Sequence, residues 1–120
     1  MKRGEVYWGN FDPTVGSEIK KIRPCLIISN NIANEFSSLV TVLPLTSQKL
    51  DKVYKHEVLV TNDPKLKNGK IKVNQIRAFD KARIGKLITK LPNSIMNEVE
   101  KSLLLHLGLS VLFRPRYDEA

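Results

Sequence analysis

Two short clusters carry side chains suited to handling an anion. The first is Arg23 directly before Pro24, behind the polar run Gly16-Ser17-Glu18 and ahead of the apolar run Cys25-Leu26-Ile27-Ile28. Proline has no N–H for a ladder, so it belongs at a strand's start, and it pushes the residue before it into an extended conformation. Arg23 is thus predicted to be a guanidinium at the last exposed position before a buried strand, with a loop in front of it. Such a cation on a rigid base suits a phosphate or carboxylate; the alternative is a plain pairing with Glu18 or a cap on a sheet edge. The second cluster is Thr46-Ser47-Gln48, after Leu39-Val40-Thr41-Val42-Leu43-Pro44-Leu45. Adjacent hydroxyls at the end of a buried strand can donate to an oxyanion, or simply satisfy turn backbone groups.

Other reactive residue types read as structural. Cys25 lies within the apolar run and is predicted to be a small buried hydrophobe rather than a nucleophile. One cysteine allows no internal disulfide and supplies no metal-ligand set, so no metal or cofactor is expected. His56 and His106 have no acid–base partner by spacing and are expected in structural or surface roles. Trp8, alone in a strand, is predicted to be core, although an indole could also stack a base.

The chain has 120 residues and a formal net charge of +8, which fits one domain and makes a polyanion such as nucleic acid the leading partner class. The charge is concentrated: Lys65 to Lys90 holds nine Lys or Arg and one acid, Asp80. No apolar run approaches the ~20 residues that span a bilayer, and the charged N-terminus lacks the apolar stretch of a signal peptide. A cytoplasmic protein without a membrane partner is therefore expected.

The elements that must position these clusters follow from periodicity. Glu5 to Phe11 reads as a first strand, and Asp12-Pro13 as a turn. The Arg23-led strand is followed by a polar connection from Asn30 to Ser38 with a possible short helical turn. Leu39 to Leu45 is the next strand, with Pro44 at its end or at a bulge. Lys49 to Lys55 reads as an exposed, mobile loop. His56 to Val60 and the alternating run Ile71 to Ile76 are further strands, and Ala82 to Leu91 is the last, with Ile84, Leu87 and Ile88 inward. Pro92 suits the first position of a helix. There Ile95, Val99, Leu103 and Leu107 form a stripe beside Met96, which Leu104, Leu105 and Leu109 widen toward a second contact surface. Residues 1–112 are expected to form one domain, with 113–120 a disordered tail. The fold class is mainly β (α+β): a small antiparallel barrel with a C-terminal helix.

Taken together, four pieces resemble a known family. They are Lys2-Arg3-Gly4-Glu5-Val6-Tyr7-Trp8 with Phe11-Asp12-Pro13; Gly16-Ser17-Glu18 with Arg23-Pro24; Leu43-Pro44-Leu45-Thr46-Ser47; and Asn74-Gln75-Ile76-Arg77 with Asp80-Lys81-Ala82-Arg83. In that order and spacing the chain looks like a MazF/PemK-type toxin of a bacterial toxin–antitoxin pair. The resemblance implies an SH3-like barrel working as a homodimer. It also implies a sequence-specific, metal-independent endoribonuclease that cuts single-stranded RNA to 2′,3′-cyclic phosphate and 5′-hydroxyl ends, and an acidic antitoxin that covers the RNA groove. It makes Arg23 and Thr46 the catalytic pair. A guanidinium with a pKa above ~12 is a poor proton acceptor, so Arg23 is assigned the charge-stabilising role. RNA contacts are expected from Ser17, Glu18, Asn30, Ser47, Lys49, Lys52, Lys72, Asn74, Gln75 and Arg77. The chain departs from some relatives in carrying Ser17 where they have a histidine, and Asn74 where they have a carboxylate, which leaves Glu18 as the nearest candidate base. Two other readings use the same barrel: a CcdB-type toxin that traps DNA gyrase, and a non-catalytic RNA-binding module.

Overall fold

A computed structural model describes residues 1–13, 15–18 and 21–109. The predicted tail and the end of the domain at 112 lie outside the described residues. Among the described residues, seven strands and two α-helices occur in chain order: β1 (Glu5–Asn10), β2 (Ile22–Ile27), α1 (Asn31–Phe36), β3 (Leu39–Thr46), β4 (Glu57–Val60), β5 (Gly69–Lys72), β6 (Arg77–Asp80), β7 (Ile84–Lys90) and α2 (Asn93–Leu107). The strands form one antiparallel sheet in the order β4-β5-β3-β2-β1-β7, and β6 pairs with β3. No pairing joins β4 to β7 among the described residues, so the predicted barrel is a bent sheet left open.

The central strand is β3. Its first half, Leu39 to Val42, pairs with β6, and its last two residues, Leu45 and Thr46, pair with β5. Pro44 sits at the handover, which is where a residue without an N–H interrupts no ladder. It neither ends the strand nor makes a bulge against β2, whose register with β3 is regular. The sheet has an apolar cluster on each face. Val6, Leu26, Leu43, Leu45, Ile71 and Val73 pack with Met96 and Val99 of α2. On the other face Phe11, Cys25, Ile27, Val40, Val42 and Phe79 pack together. Alternation along β2 and β3 thus feeds both cores.

Several sequence expectations need correction. Trp8 is 45% exposed rather than core, because it lies beyond Val6 towards the strand's end, opposite Pro24. The run from Ile71 is a strand only to Lys72; Val73–Gln75 turn as a 3-10 helix, which takes Asn74 and Gln75 off the sheet. Leu87 is exposed, since the β1–β7 register shifts twice and breaks the simple alternation. Pro92 is the N-cap rather than the first helical residue: its carbonyl accepts from Ile95 and Met96 N–H at 3.1 Å. The buried face of α2 is Met96, Val99 and Ser102, flanked by Ile95 and Leu103, whereas Leu107 is exposed together with Leu105 and Leu109.

Candidate RNA-binding site

The two clusters follow from the pairing of neighbouring strands β2 and β3. In β2–β3, Cys25 faces Pro44, Leu26 faces Leu43 and Ile27 faces Val42. The β2–β3 pairing runs to Cys25–Pro44, so Arg23 and Thr46 each lie two residues beyond its last pair, on the face that Cys25 and Pro44 occupy. On its other side Arg23 faces Gly9 of β1. Arg23 is exposed, and it makes no ion pair with Glu18 among the described residues. Thr46 is half-buried, and its Oγ1 accepts from Gln48 N–H at 3.1 Å. Turn capping therefore does occur, and it uses the oxygen as acceptor, leaving the hydroxyl proton to donate.

Next to this pair lies a cavity of about 190 Å³ lined by Phe11, Glu18, Pro44, Asn74, Gln75, Ile76 and Arg77. Pro44 is the floor residue shared with the Cys25–Pro44 pair, two residues from Thr46, or roughly 7 Å along the strand. The cavity and the Arg23–Thr46 pair therefore adjoin. Phe11 and Phe79 pack with ring centroids 4.6 Å apart, and the Arg77 guanidinium sits 4.9 Å from the Phe79 centroid. Desolvated stacking of that kind holds a cation on an apolar floor. Arg83 also lies over Phe79 and donates to the Asn10 and Asp12 carbonyls at 3.2 and 3.0 Å, fixing the start of the β1–β2 loop. Glu18 lines the cavity with Oε1 accepting from Val15 N–H at 2.6 Å. Ser17 is exposed beside it.

Gly9 is a condition of this floor. A Cβ there would meet Cys25 Sγ at 2.8 Å and Phe79 Cε2 at 3.1 Å. Burial pushes the Cys25 thiol up to about 12, against a weaker opposing hydrogen bond from the Tyr7 backbone. As the sequence predicted, this cysteine packs as a hydrophobe.

Not every predicted contact converges. Ser47, Lys49 and Lys52 are exposed on the segment that follows Thr46. Asn30 lies at the opposite end of β2 from Arg23, roughly 20 Å away in extended chain, and its side chain caps α1 by accepting from Ala33 N–H. Lys72 points its ammonium at the buried Glu57 carboxylate. Two partners of that carboxylate were missed. Lys70, only 4% exposed, contacts Glu57 at 3.0 Å and donates to the Lys49 and Lys52 carbonyls at 2.9 Å each. Tyr54 N–H donates to Glu57 at 3.0 Å. Burial alone would raise the Glu57 pKa, but bonds from Lys72, Tyr54 and Lys70 outweigh it and hold the group at about 2. The β4–β5 pairing, which sets Glu57 opposite Lys72 and Leu59 opposite Lys70, is what brings both lysines to their acid. Among the described residues no cluster of His, Cys, Asp or Glu is arranged to hold a metal ion.

Comparison with known proteins sets this geometry in context. The family model described as PemK-like, MazF-like toxin of type II toxin–antitoxin system matches residues 2–107. Endoribonuclease EndoA of Bacillus subtilis is 36% identical over 111 residues, covering 91% of this chain and 96% of that protein. The crystal structure of MazF from Deinococcus radiodurans superposes with a TM-score of 0.81 at 27% identity, covering 91% of this chain and 97% of that one. A MazE–MazF crystal structure from the same organism gives 0.75 at 25% identity, covering 92% and 97%. With an aligned family match over nearly the whole described chain and a matching fold, the chain belongs to the PemK-like, MazF-like toxins of type II toxin–antitoxin systems.

Proposed function

We propose that this protein is the endoribonuclease toxin of its pair, cutting single-stranded RNA by attack of a ribose 2′-hydroxyl on the adjacent phosphorus. The products are a 2′,3′-cyclic phosphate and a 5′-hydroxyl end. The single observation that supports the reading is the Cys25–Pro44 pairing, two residues from both Arg23 and Thr46, with Pro44 lining the cavity that Glu18 and Arg77 share. Intramolecular attack needs a strand held in line, charge stabilised on the phosphorane oxygens, and protons moved off the 2′-oxygen and onto the 5′-oxygen. Arg23 supplies the charge and Thr46 Oγ1–H a hydrogen bond to a non-bridging oxygen. Glu18 is the carboxylate that lines the cavity and is the candidate base. Asn74 and Gln75, on an exposed turn, offer donors and acceptors to the edges of unstacked bases. Ser47, Lys49, Lys52 and Arg77 attract the backbone.

The nucleophile is internal, so the reaction needs no metal ion. The partners follow from the same reading: RNA in the cytoplasm, an acidic antitoxin on the same positive face, and a second copy of the chain. MazF of D. radiodurans was crystallised with MazE. No helix among the described residues is long and apolar enough to cross a membrane.

The test is incubation of the purified protein with a long single-stranded RNA in excess EDTA. Discrete cuts are expected, and Arg23→Ala should slow them by roughly a hundredfold or more, the usual loss for one transition-state stabiliser. A 2′-deoxy substitution at the cut site should abolish cleavage there while leaving binding. Cleavage that needs a divalent ion, or that survives the 2′-deoxy substitution, overturns the mechanism. Undiminished cleavage by Arg23→Ala overturns the site. RNA binding without cleavage would favour a non-catalytic module instead.

A further inference from the structure

We infer that Lys70 is a positioning residue for the RNA-binding surface: its buried ammonium, anchored on Glu57, fixes the course of the loop that leaves Thr46. This rests on the ribonuclease reading only for its consequence in RNA binding. The geometry is independent of it. An ammonium has three donors, and all three have partners here: the Glu57 carboxylate at 3.0 Å and the Lys49 and Lys52 carbonyls at 2.9 Å. In the β3–β5 register Lys70 faces Thr46 itself. One atom thus ties the end of the catalytic strand to two points of the loop that follows.

The loop's backbone agrees with being held. Lys49 has φ 52°, in the left-handed region. That conformation is unfavourable for a non-glycine residue and persists where the surroundings over-determine it. The far end of the loop is fixed by the same carboxylate, through Tyr54 N–H at 3.0 Å. From there His56 O accepts from Val73 N–H at 2.9 Å, one residue before Asn74 and Gln75. The loop after Thr46 is therefore tied directly to the Glu57–Lys70 pair, and the turn at Asn74 is tied to the residue before Glu57 through the His56–Val73 backbone bond. Lys72 belongs to the same ionic cluster but touches no loop carbonyl, and it balances the Glu57 charge from a half-buried position.

Lys70→Met keeps the length of the side chain and removes the ammonium. Lys72→Met removes a charge from the same cluster and is the control for simple destabilisation. Amide hydrogen exchange is measured without RNA at conditions where both variants remain folded by circular dichroism. Lys70→Met should speed exchange across residues 48–53 by tenfold or more, with Lys72→Met changing that segment by less than about threefold. With RNA, Lys70→Met should raise KM about tenfold and leave kcat within about threefold, because Thr46 keeps its strand while the loop lysines lose their placement. Equal loosening of the loop by the two variants, or a loosened loop with unchanged KM, overturns the proposal. The exchange measurement decides the clamp even if the wild-type protein fails to cut RNA, a failure that would fall on the ribonuclease reading alone.

Discussion

At the scale of single residues, the chemistry depends on where lone pairs and charges are already committed. Thr46 Oγ1 accepts from Gln48 N–H, so its proton is the part available to a phosphate oxygen. Thr46→Val keeps the β-branched shape and the strand, and should lower kcat by roughly tenfold to a hundredfold. The lost backbone hydrogen bond should cost about 1 kcal/mol of stability in urea titration. Unchanged kcat would remove Thr46 from the mechanism. Glu57 gives a second expectation, in pH. Its folded pKa, about 2, lies below the ordinary value of 4.5. The stabilisation it supplies is thus full above the ordinary value and is lost as pH falls from about 4.5 toward 2. Glu57→Gln should flatten that acid limb of a stability–pH curve. It should also weaken the protein at neutral pH, where Lys70 and Lys72 would be left without their counter-charge. An acid limb that persists in the variant would assign the lability to other carboxylates.

At the scale of elements, one strand does most of the positioning. β3 holds Thr46 at its end, passes from β6 to β5 at Pro44, and pairs with β2 as far as Cys25–Pro44, two residues short of Arg23. The Arg23-Pro24 signal located β2 well, because a proline next to an apolar run has few places in a sheet. Its extent was less legible: β2 begins at Ile22, two residues before Pro24. The Asn74–Gln75 turn was hidden by the alternation of Ile71-Lys72-Val73, which continues the strand pattern past the point where the backbone leaves the sheet. Packing between elements also supplies a test. Gly9→Ala places a Cβ 2.8 Å from Cys25 Sγ and 3.1 Å from Phe79, so the β1–β2 face must open. A loss of about 1–3 kcal/mol is expected by denaturant melts, with weakened RNA cleavage because Phe79 carries Arg77. A neutral effect on stability would show that the floor is looser than its contacts indicate.

For the whole molecule the governing quantity is the field. A net charge of +8 favours polyanions, so on the proposed function RNA and an acidic antitoxin are expected to compete. Arg23, Lys49, Lys52 and Arg77 are the cations available to a bound strand, and about four phosphate contacts correspond to a log–log salt slope near −3 for single-stranded RNA. Lys49→Ala with Lys52→Ala should reduce that slope by about 1 while preserving sequence preference, measured by anisotropy with a 2′-deoxy RNA that cannot be cut. A slope insensitive to both lysines would place the strand elsewhere.

Local chemistry was within reach of the amino-acid order. Proline's missing donor, the apolar runs, the glycine-led loop and the hydroxyl pair are properties of neighbours in the chain, and they sufficed to nominate two anion-handling clusters and a mainly β fold; the family came from the resemblance of four motif pieces in order. Tertiary structure alone decided which residues meet. It brought Glu18 and Arg77 into one cavity, sent Asn30 to the far end of the sheet, exposed Trp8, and gave Lys70 and Lys72 their buried acid. The reason is that strand pairing joins positions tens of residues apart. A lysine's surroundings are then set by the register of another strand, which no local pattern records.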